Sequence, residues 1–320
     1  MNGFLVIDKP GGLTSHDVVG RVRHILHERR VGHTGTLDPF ATGVLIVLVG
    51  RATRLAQFLS GQDKHYDAII RLGFATETGD RTGTSITPAN SVSKGQWTED
   101  EIEAALASLR GEIDQVPPMY SAKKIGGKKL YELARRGEEV EREPVRVCIH
   151  EFAPIRPDGQ LMKDNSDGTF DFHVRVVCSA GTYVRTLAED FGKRIGIGAH
   201  VAELRRIQVG SFNIESAITL DQLKTSFAEE SLGTVLHPPA AALSFMPFVH
   251  LTDEDARKVR NGVAVQVAEA PWTDGENIRM CDSDGTLMAI ARYDISKAEL
   301  QPRVVLANEE HVEVNEKNKH

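Results

Sequence analysis

A carboxylate, a phenol and a guanidinium stand at points where this chain of 320 residues changes conformation. Asp38 lies in VGHTGTLDPFATGVLIVLVG, in a glycine- and threonine-rich turn just before an apolar run. Tyr66 opens the alternating segment KHYDAIIRLGF, and Arg185 begins the segment after the CSAGTY turn. Brought together, these groups could do chemistry without a cofactor. A sheet could gather such junctions into one cleft, where a buried carboxylate needs a cation to stay ionised, and Arg185 suits that role because a guanidinium pairs as a two-pronged fork and stays charged. Taken singly, each has a plainer reading. An Asp in such a turn caps backbone N–H groups, a Tyr at a strand start is a half-buried aromatic, and an Arg at a helix start faces water.

Other familiar chemistries fail on spacing. GHTGTLD lacks the lysine of a phosphate-binding loop, RIGIGAHV is not a dinucleotide fingerprint, and no Gly-x-Ser-x-Gly occurs. The histidines of HILHE read as a basic helix face and not as metal ligands. An enzyme built on this chain is therefore expected to use no metal and no cofactor. Cys148, Cys178 and Cys281 are widely spaced and form no CxxC, so they read as reduced core thiols.

The elements that must position the polar residues follow from pattern. GFLVIDKPGGLTSHDVVGRVRHIL predicts a strand from Phe4 to Ile7, a Pro-Gly-Gly turn, and a helix N-capped by Ser15. Val18, Val19, Val22, Ile25 and Leu26 share one face of that helix. Val44 to Val49 is the longest apolar run and is strand-sized, too short to span a bilayer. Tyr66 to Phe74 alternates as a strand, whereas GFATETGDRTGTS reads as an exposed loop. WTEDEIEAALASLRG predicts a helix capped by Thr98 and stopped by Gly111. In the strand TFDFHVRVVC, Phe170, Phe172, Val174, Val176 and Cys178 share one face. The helix after CSAGTY turns Val184, Leu187, Phe191 and Ile195 inward. Strands with segregated helices and no regular βαβ alternation predict an α+β protein with a mixed sheet. HPPAAALSFMP marks an expected boundary, followed by a small β-rich appendage and a polar tail, 308–320, expected to be disordered.

With 41% hydrophobic and 26% charged residues the composition is that of a soluble globular protein. MNGFLVIDKPGG lacks the pattern of an export signal, so a cytoplasmic location and no membrane association are expected. The net charge of −7 argues against indiscriminate binding to polyanions. Charge is segregated, however. Residues 119–137, MYSAKKIGGKKLYELARRG, set Lys123, Lys124, Lys128, Lys129, Arg135 and Arg136 against Glu132 alone. RVRHILHERR is a further basic run, while acidic residues collect elsewhere. That distribution suits a nucleic-acid partner, although a solvated helix face explains each run equally well.

LVIDKPGGLTSHDVV, GHTGTLDPFATGVL, KHYDAIIRLG, PPMYSAKKIGGKKLYELARRG, and CSAGTYVRTLAEDFG with GAHVAELRR follow one another over residues 3–209. In this order they resemble the TruB family of tRNA pseudouridine-55 synthases. The resemblance implies a mainly antiparallel sheet with flanking helices, the pseudouridine synthase fold, over residues 1–240. It implies isomerisation of uridine 55 in the T loop by base flipping, a tRNA partner held by its T arm, and a monomer. Asp38 would be the catalytic aspartate, Tyr66 the aromatic that stacks on the target base and handles its proton, and Arg185 the partner that lowers the Asp38 pKa. Leu204 would line the pocket and Tyr183 would belong to the same site. His33 would accompany base extrusion and face the substrate with Asp38. Lys9 and Pro10 would form the N-terminal KP motif at the substrate. Residues 119–137 would be a basic RNA-gripping insertion, and residues 248–307 a PUA-like RNA-binding domain. The reaction exchanges a C–N glycosidic bond for a C–C bond with no net change in atoms or electrons, so it needs no cofactor. A tRNA-folding chaperone without catalysis, and a synthase acting on another RNA, remain as alternatives.

Overall fold

The computed structural model describes residues 1–86, 96–267 and 270–307. The larger sheet draws on β1 (Gly3–Lys9), β2 (Val31–His33), β3 (Thr42–Val49), β4 (Lys64–Leu72) and β5 (Gly111–Gln115). A separate hairpin, β6 (Lys124–Ile125) and β7 (Lys128–Lys129), precedes its remaining strands. These are β8 (Val145–Pro154), β9 (Lys163–Asp164), β10 (Phe170–Cys178), β11 (Ala199–Val209) and β12 (Phe212–Asn213). The spatial order is β1-β3-β11-β4-β10-β8-β5, with β2 on β3, β9 on β10 and β12 on β11. Only the short β3–β11 contact among these is parallel, so the sheet is mixed and mainly antiparallel, as expected.

Helices flank it: α1 (Ser15–Leu26), α2 (Ala56–Leu59), α3 (Glu99–Ala107), α4 (Leu130–Ala134), α5 (Val184–Arg194), α6 (Leu220–Ala228) and α7 (Pro239–Ala242). β3 is apolar without alternation because both its faces are covered. Val44, Ile46 and Leu48 pack with Phe4 and Val6, while Leu45, Val47 and Val49 pack under α1 and α6. Beyond the HPPAAALSFMP stretch, β13 (Phe248–His250), α8 (Asp253–Arg260), β14 (Val265–Gln266), β15 (Asn277–Cys281), β16 (Leu287–Asp294) and β17 (Glu299–Val305) form a smaller curled sheet of PUA-like character. Its Cys281, Leu287, Ile290, Val304 and Leu306 join the Phe4 core, so the appendage is seated on the larger sheet.

The β3–β11 contact depends on Gly43. Its φ is +104°, and a Cβ there would lie 2.1 Å from the Arg206 carbonyl oxygen. The parallel pairing Arg206↔Gly43 brings Arg206 beside the Asp38 turn.

Several local expectations are corrected. α1 is capped by Thr14 in a capping box with Asp17. Ser15 instead is buried, its hydroxyl accepting from Leu37 N at 2.9 Å and donating to Leu37 O at 3.2 Å. The GFATETGDRTGTS loop is not simply exposed, since Thr76 and Asp80 are buried where the chain bridges to Val201. The basic segment contains the β6–β7 hairpin, turned by Gly126 and Gly127, both at positive φ as a two-residue hairpin loop requires. Cys178 and Cys281 are buried thiols, but Cys148 is only half-buried. Thr98 caps α3 as expected. The tail expectation, 308–320, falls outside the described residues. No helix among the described residues is long and apolar enough to cross a membrane.

Candidate active site

The turn before β3, the start of β4, the first turn of α5 and the middle of β11 converge on one cleft. It is lined by Asp38, Lys64, Tyr66, Ser121, Arg185 and Arg206, with Leu204 and Tyr183 at its walls. The Asp38 turn is fixed from behind. Ser15 holds Leu37, and the Lys9 ammonium donates to the carbonyls of Leu13 (2.7 Å), Pro10 (2.9 Å) and Pro39 (3.3 Å). Lys9 is thus fully buried and anchors the turn from outside the cleft lining, while Pro10 is exposed. Lys9 thereby joins the β1 end to Leu13 and to Pro39, the residue next to Asp38.

Arg185 lies 147 positions from Asp38 and meets it with both prongs, Nε to Oδ2 at 2.9 Å and Nη2 to Oδ1 at 3.1 Å. The guanidinium is 4% exposed and also donates to the carbonyls of Thr78 and Tyr120, each at 2.8 Å. The Asp80 carboxylate stands 3.7 Å away, held by the hydroxyls of Thr78 and Thr82. The start of α5 is set by buried Gln115, whose amide accepts from Tyr183 N (2.7 Å) and donates to Tyr183 O (3.1 Å). A surface-helix reading of Arg185 is therefore eliminated.

Arg185 does work to lower the Asp38 pKa, but burial works harder and Asp80 adds to it, so the net direction is upward. That corrects the sign expected from the ion pair alone. The carboxyl keeps 31% of its side-chain surface open to the cleft. Burial likewise raises the Tyr66 phenol, leaving it protonated at neutral pH. Tyr66 is the cross-strand partner of Arg206, which is 1% exposed and donates to Val44 O (2.7 Å) and Gly35 O (3.2 Å). Lys9 and Lys64 are each pushed down to about 8 by desolvation.

Asp80, Arg206, Lys64, Gln115 and Ser121 were not singled out by the sequence. Arg206 had a signal: it lies two residues beyond Leu204 in AELRR, and on a strand that spacing shares a face. Lys64 had the same signal, two residues before Tyr66 on β4, and the others had none beyond their neighbourhood.

His33 sits on β2 beside the turn and is half-buried, but it does not line the Asp38 cleft. Its ring meets His16 edge-on with centroids 5.5 Å apart, and its buried Nδ1 has no partner among the described residues. Burial, with His16 and Arg206 nearby, lowers its pKa to about 4. The imidazole is then neutral at pH 7. The unfolded chain takes up this proton near pH 6.5 and the folded one only near 4, so stability is lost as pH falls between those values. A His33 NMR titration midpoint near 4 is expected; a midpoint near 6.5 would place the ring in water.

Lys124, Lys128, Arg135 and Arg136 are exposed and Lys123 is half-buried. Arg135 lies over the Tyr131 ring at 5.5 Å. The Lys129 side chain falls outside the described residues. The segment is tied to the cleft where Tyr120 O accepts from Arg185. No cluster of three or more His, Cys, Asp or Glu suited to a metal occurs among the described residues.

Residues 23–184 match the family model described as TruB family pseudouridylate synthase (N terminal domain). Residues 185–244 match the tRNA pseudouridylate synthase B C-terminal domain. The chain belongs to the TruB family. It is 41% identical over 312 residues to tRNA pseudouridine synthase B of Bacillus pumilus, covering 97% of this chain and 99% of that protein. With the protein of the same name from Symbiobacterium thermophilum it shares 46% identity over 269 residues, covering 83% and 84% of the two chains. Among solved structures it is similar to a chain of an H/ACA RNP bound to a substrate RNA containing 2'-deoxyuridine, with a TM-score of 0.71, 25% identity and coverage of 96% and 85%. A chain from a Cbf5-Nop10-Gar1 complex gives 0.69 at 28% identity, covering 96% and 84%. TruB-family membership makes this chain a tRNA pseudouridine synthase, an isomerase that acts on RNA.

Proposed function

We propose that this enzyme isomerises uridine 55 in the T loop of tRNA, with Asp38 as the reacting carboxylate and no cofactor. The observation that carries this reading is the two-pronged Asp38–Arg185 pair, open to a cleft that also holds Tyr66. A T-loop uridine must be flipped out to reach Asp38, at a cost of a few kcal/mol. Stacking on Tyr66 returns about 1–3 kcal/mol of that. Asp38 then acts on the ribose or base, the C–N bond breaks, the uracil turns, the C–C bond forms, the C5 proton leaves to solvent and N1 takes up a proton in its place. His33, neutral beside the turn, suits the space that the extruded base vacates.

The exposed cations of residues 119–137 would grip the T arm, and the curled sheet of residues 248–307 would form a second RNA-binding module. A monomer acting in the cytoplasm completes the reading. Neutralising Lys124, Lys128, Arg135 and Arg136 together should weaken tRNA binding and reduce the slope of log Kd against log salt by up to about 3–4, at about 0.7–0.9 per phosphate contact. An unchanged slope would place the RNA elsewhere.

The direct test uses unmodified tRNA transcript labelled with tritium at uracil C5, without added nucleotide or cofactor. One tritium released per tRNA, matched by pseudouridine at position 55, is the expected result. Tight binding with no release would favour the chaperone reading, and product at another position would favour a different RNA target.

A further inference from the structure

Ser121 is 5% exposed and lines the same cleft as Asp38, Tyr66 and Arg185, yet its buried hydroxyl has no hydrogen-bond partner among the described residues. Its backbone is not free to move away. Tyr120 O accepts from Arg185 at 2.8 Å on one side, and Ser121 O accepts from Tyr131 N at 3.1 Å on the other. A buried hydroxyl left unpaired destabilises the protein that carries it, so one fixed at the wall of a reaction cleft calls for a partner that comes with the substrate.

The cations of the cleft already make hydrogen bonds within the protein, whereas the Ser121 hydroxyl makes none among the described residues. Arg185 is committed to Asp38 and to the carbonyls of Thr78 and Tyr120. The Lys64 ammonium donates to Ser60 O and Gln62 O. Arg206 donates to Val44 O and Gly35 O, and Thr182 to Ser179 O. An ionised Asp38 only accepts, so it can address a ribose hydroxyl but not a carbonyl oxygen. Uracil presents two carbonyl oxygens and one N–H, and therefore needs donors along most of its polar edge. We propose that Ser121 is a substrate-binding residue whose hydroxyl donates to a carbonyl oxygen of the extruded uracil.

This inference rests on the proposed reading of the cleft, and its test separates the two. Wild type and Ser121→Ala are compared in single-turnover assays on tRNA carrying uridine, 2-thiouridine or 4-thiouridine at the target, because sulfur accepts hydrogen bonds poorly. Loss of the bond should cost about ten- to a hundredfold in rate. Wild type should lose that factor on one of the thio substrates, which identifies the oxygen contacted. Ser121→Ala should lose it already on uridine and lose nothing further on that thio substrate, with tRNA binding nearly unchanged. The Tm of free Ser121→Ala should be equal to or above that of wild type, because the orphan hydroxyl is gone. Full activity of Ser121→Ala, further loss on both thio substrates, or a lowered Tm overturns the proposal while wild type still makes pseudouridine. A wild type inactive on every substrate overturns the functional reading as well.

Discussion

Asp38→Asn should reduce pseudouridine formation by at least about 10²–10⁴-fold, the range lost with an essential proton-transfer or nucleophilic group, while tRNA binding stays within about tenfold. The two properties separate because they rest on different residues. Affinity for tRNA comes from phosphate contacts spread over many cations, such as the exposed ones between Lys124 and Arg136. Chemistry rests on one carboxylate in a cleft. The amide is isosteric but carries no charge, so it removes the reacting group and leaves the shape of the cleft unchanged. The measurement is tritium release and Kd on one preparation, with Tm as a control for folding. Loss of binding in step with activity would return Asp38 to its plain role as a turn cap. The wild-type pH profile adds a second check. Asp38 must be ionised to react, and its pKa is raised, so kcat/KM should fall on acidification with a limb above the ordinary Asp value of 3.8. A limb at or below that value would mean that Arg185 outweighs burial.

What the sequence disclosed was mostly local. The unbroken run from Val44 to Val49 announced a strand covered on both faces, and the core supplies those two covers. Thr98 announced its capping box. Gly126 and Gly127 supply a two-residue hairpin turn between Ile125 and Lys128, a local signal as plain as either of these. Asp38, Tyr66 and Arg185 stood out because each sits at a junction, and in an antiparallel sheet junctions from distant segments meet at one end. Asp80 was illegible for the opposite reason. Its Thr/Gly/Asp loop has the composition of a solvent turn and is buried only because it bridges to β11 at Val201. The sign of the Asp38 pKa shift was equally hidden: a pairing partner can be guessed from residue types, but desolvation is a property of the assembled walls.

Arg185→Lys should cost about as much activity as many deletions, roughly 10²-fold or more, although charge is conserved. A lysine offers one ammonium where Arg185 supplies a planar fork. The fork grips both oxygens of Asp38, at 2.9 and 3.1 Å, and holds the Thr78 and Tyr120 carbonyls at 2.8 Å. Losing the Tyr120 contact also loosens the segment that begins the basic insertion. Arg185→Met goes further, leaving Asp38 and the 6%-exposed Asp80 without their shared counter-charge. Breaking a buried pair from one side typically costs about 3–5 kcal/mol, so a substantial fall in Tm is expected for Met and a smaller one for Lys. The pH profile distinguishes an electrostatic role from mere support. Arg185 opposes the upward pull of burial on Asp38, so its removal must raise that pKa further and carry the acid limb of kcat/KM toward alkaline pH. Arg185→Lys should show an intermediate limb, since a cation remains but is less well placed. Reduced activity with an unmoved limb in both variants would make Arg185 an anchor for α5 and the Thr78 loop, acting on Asp38 only through position.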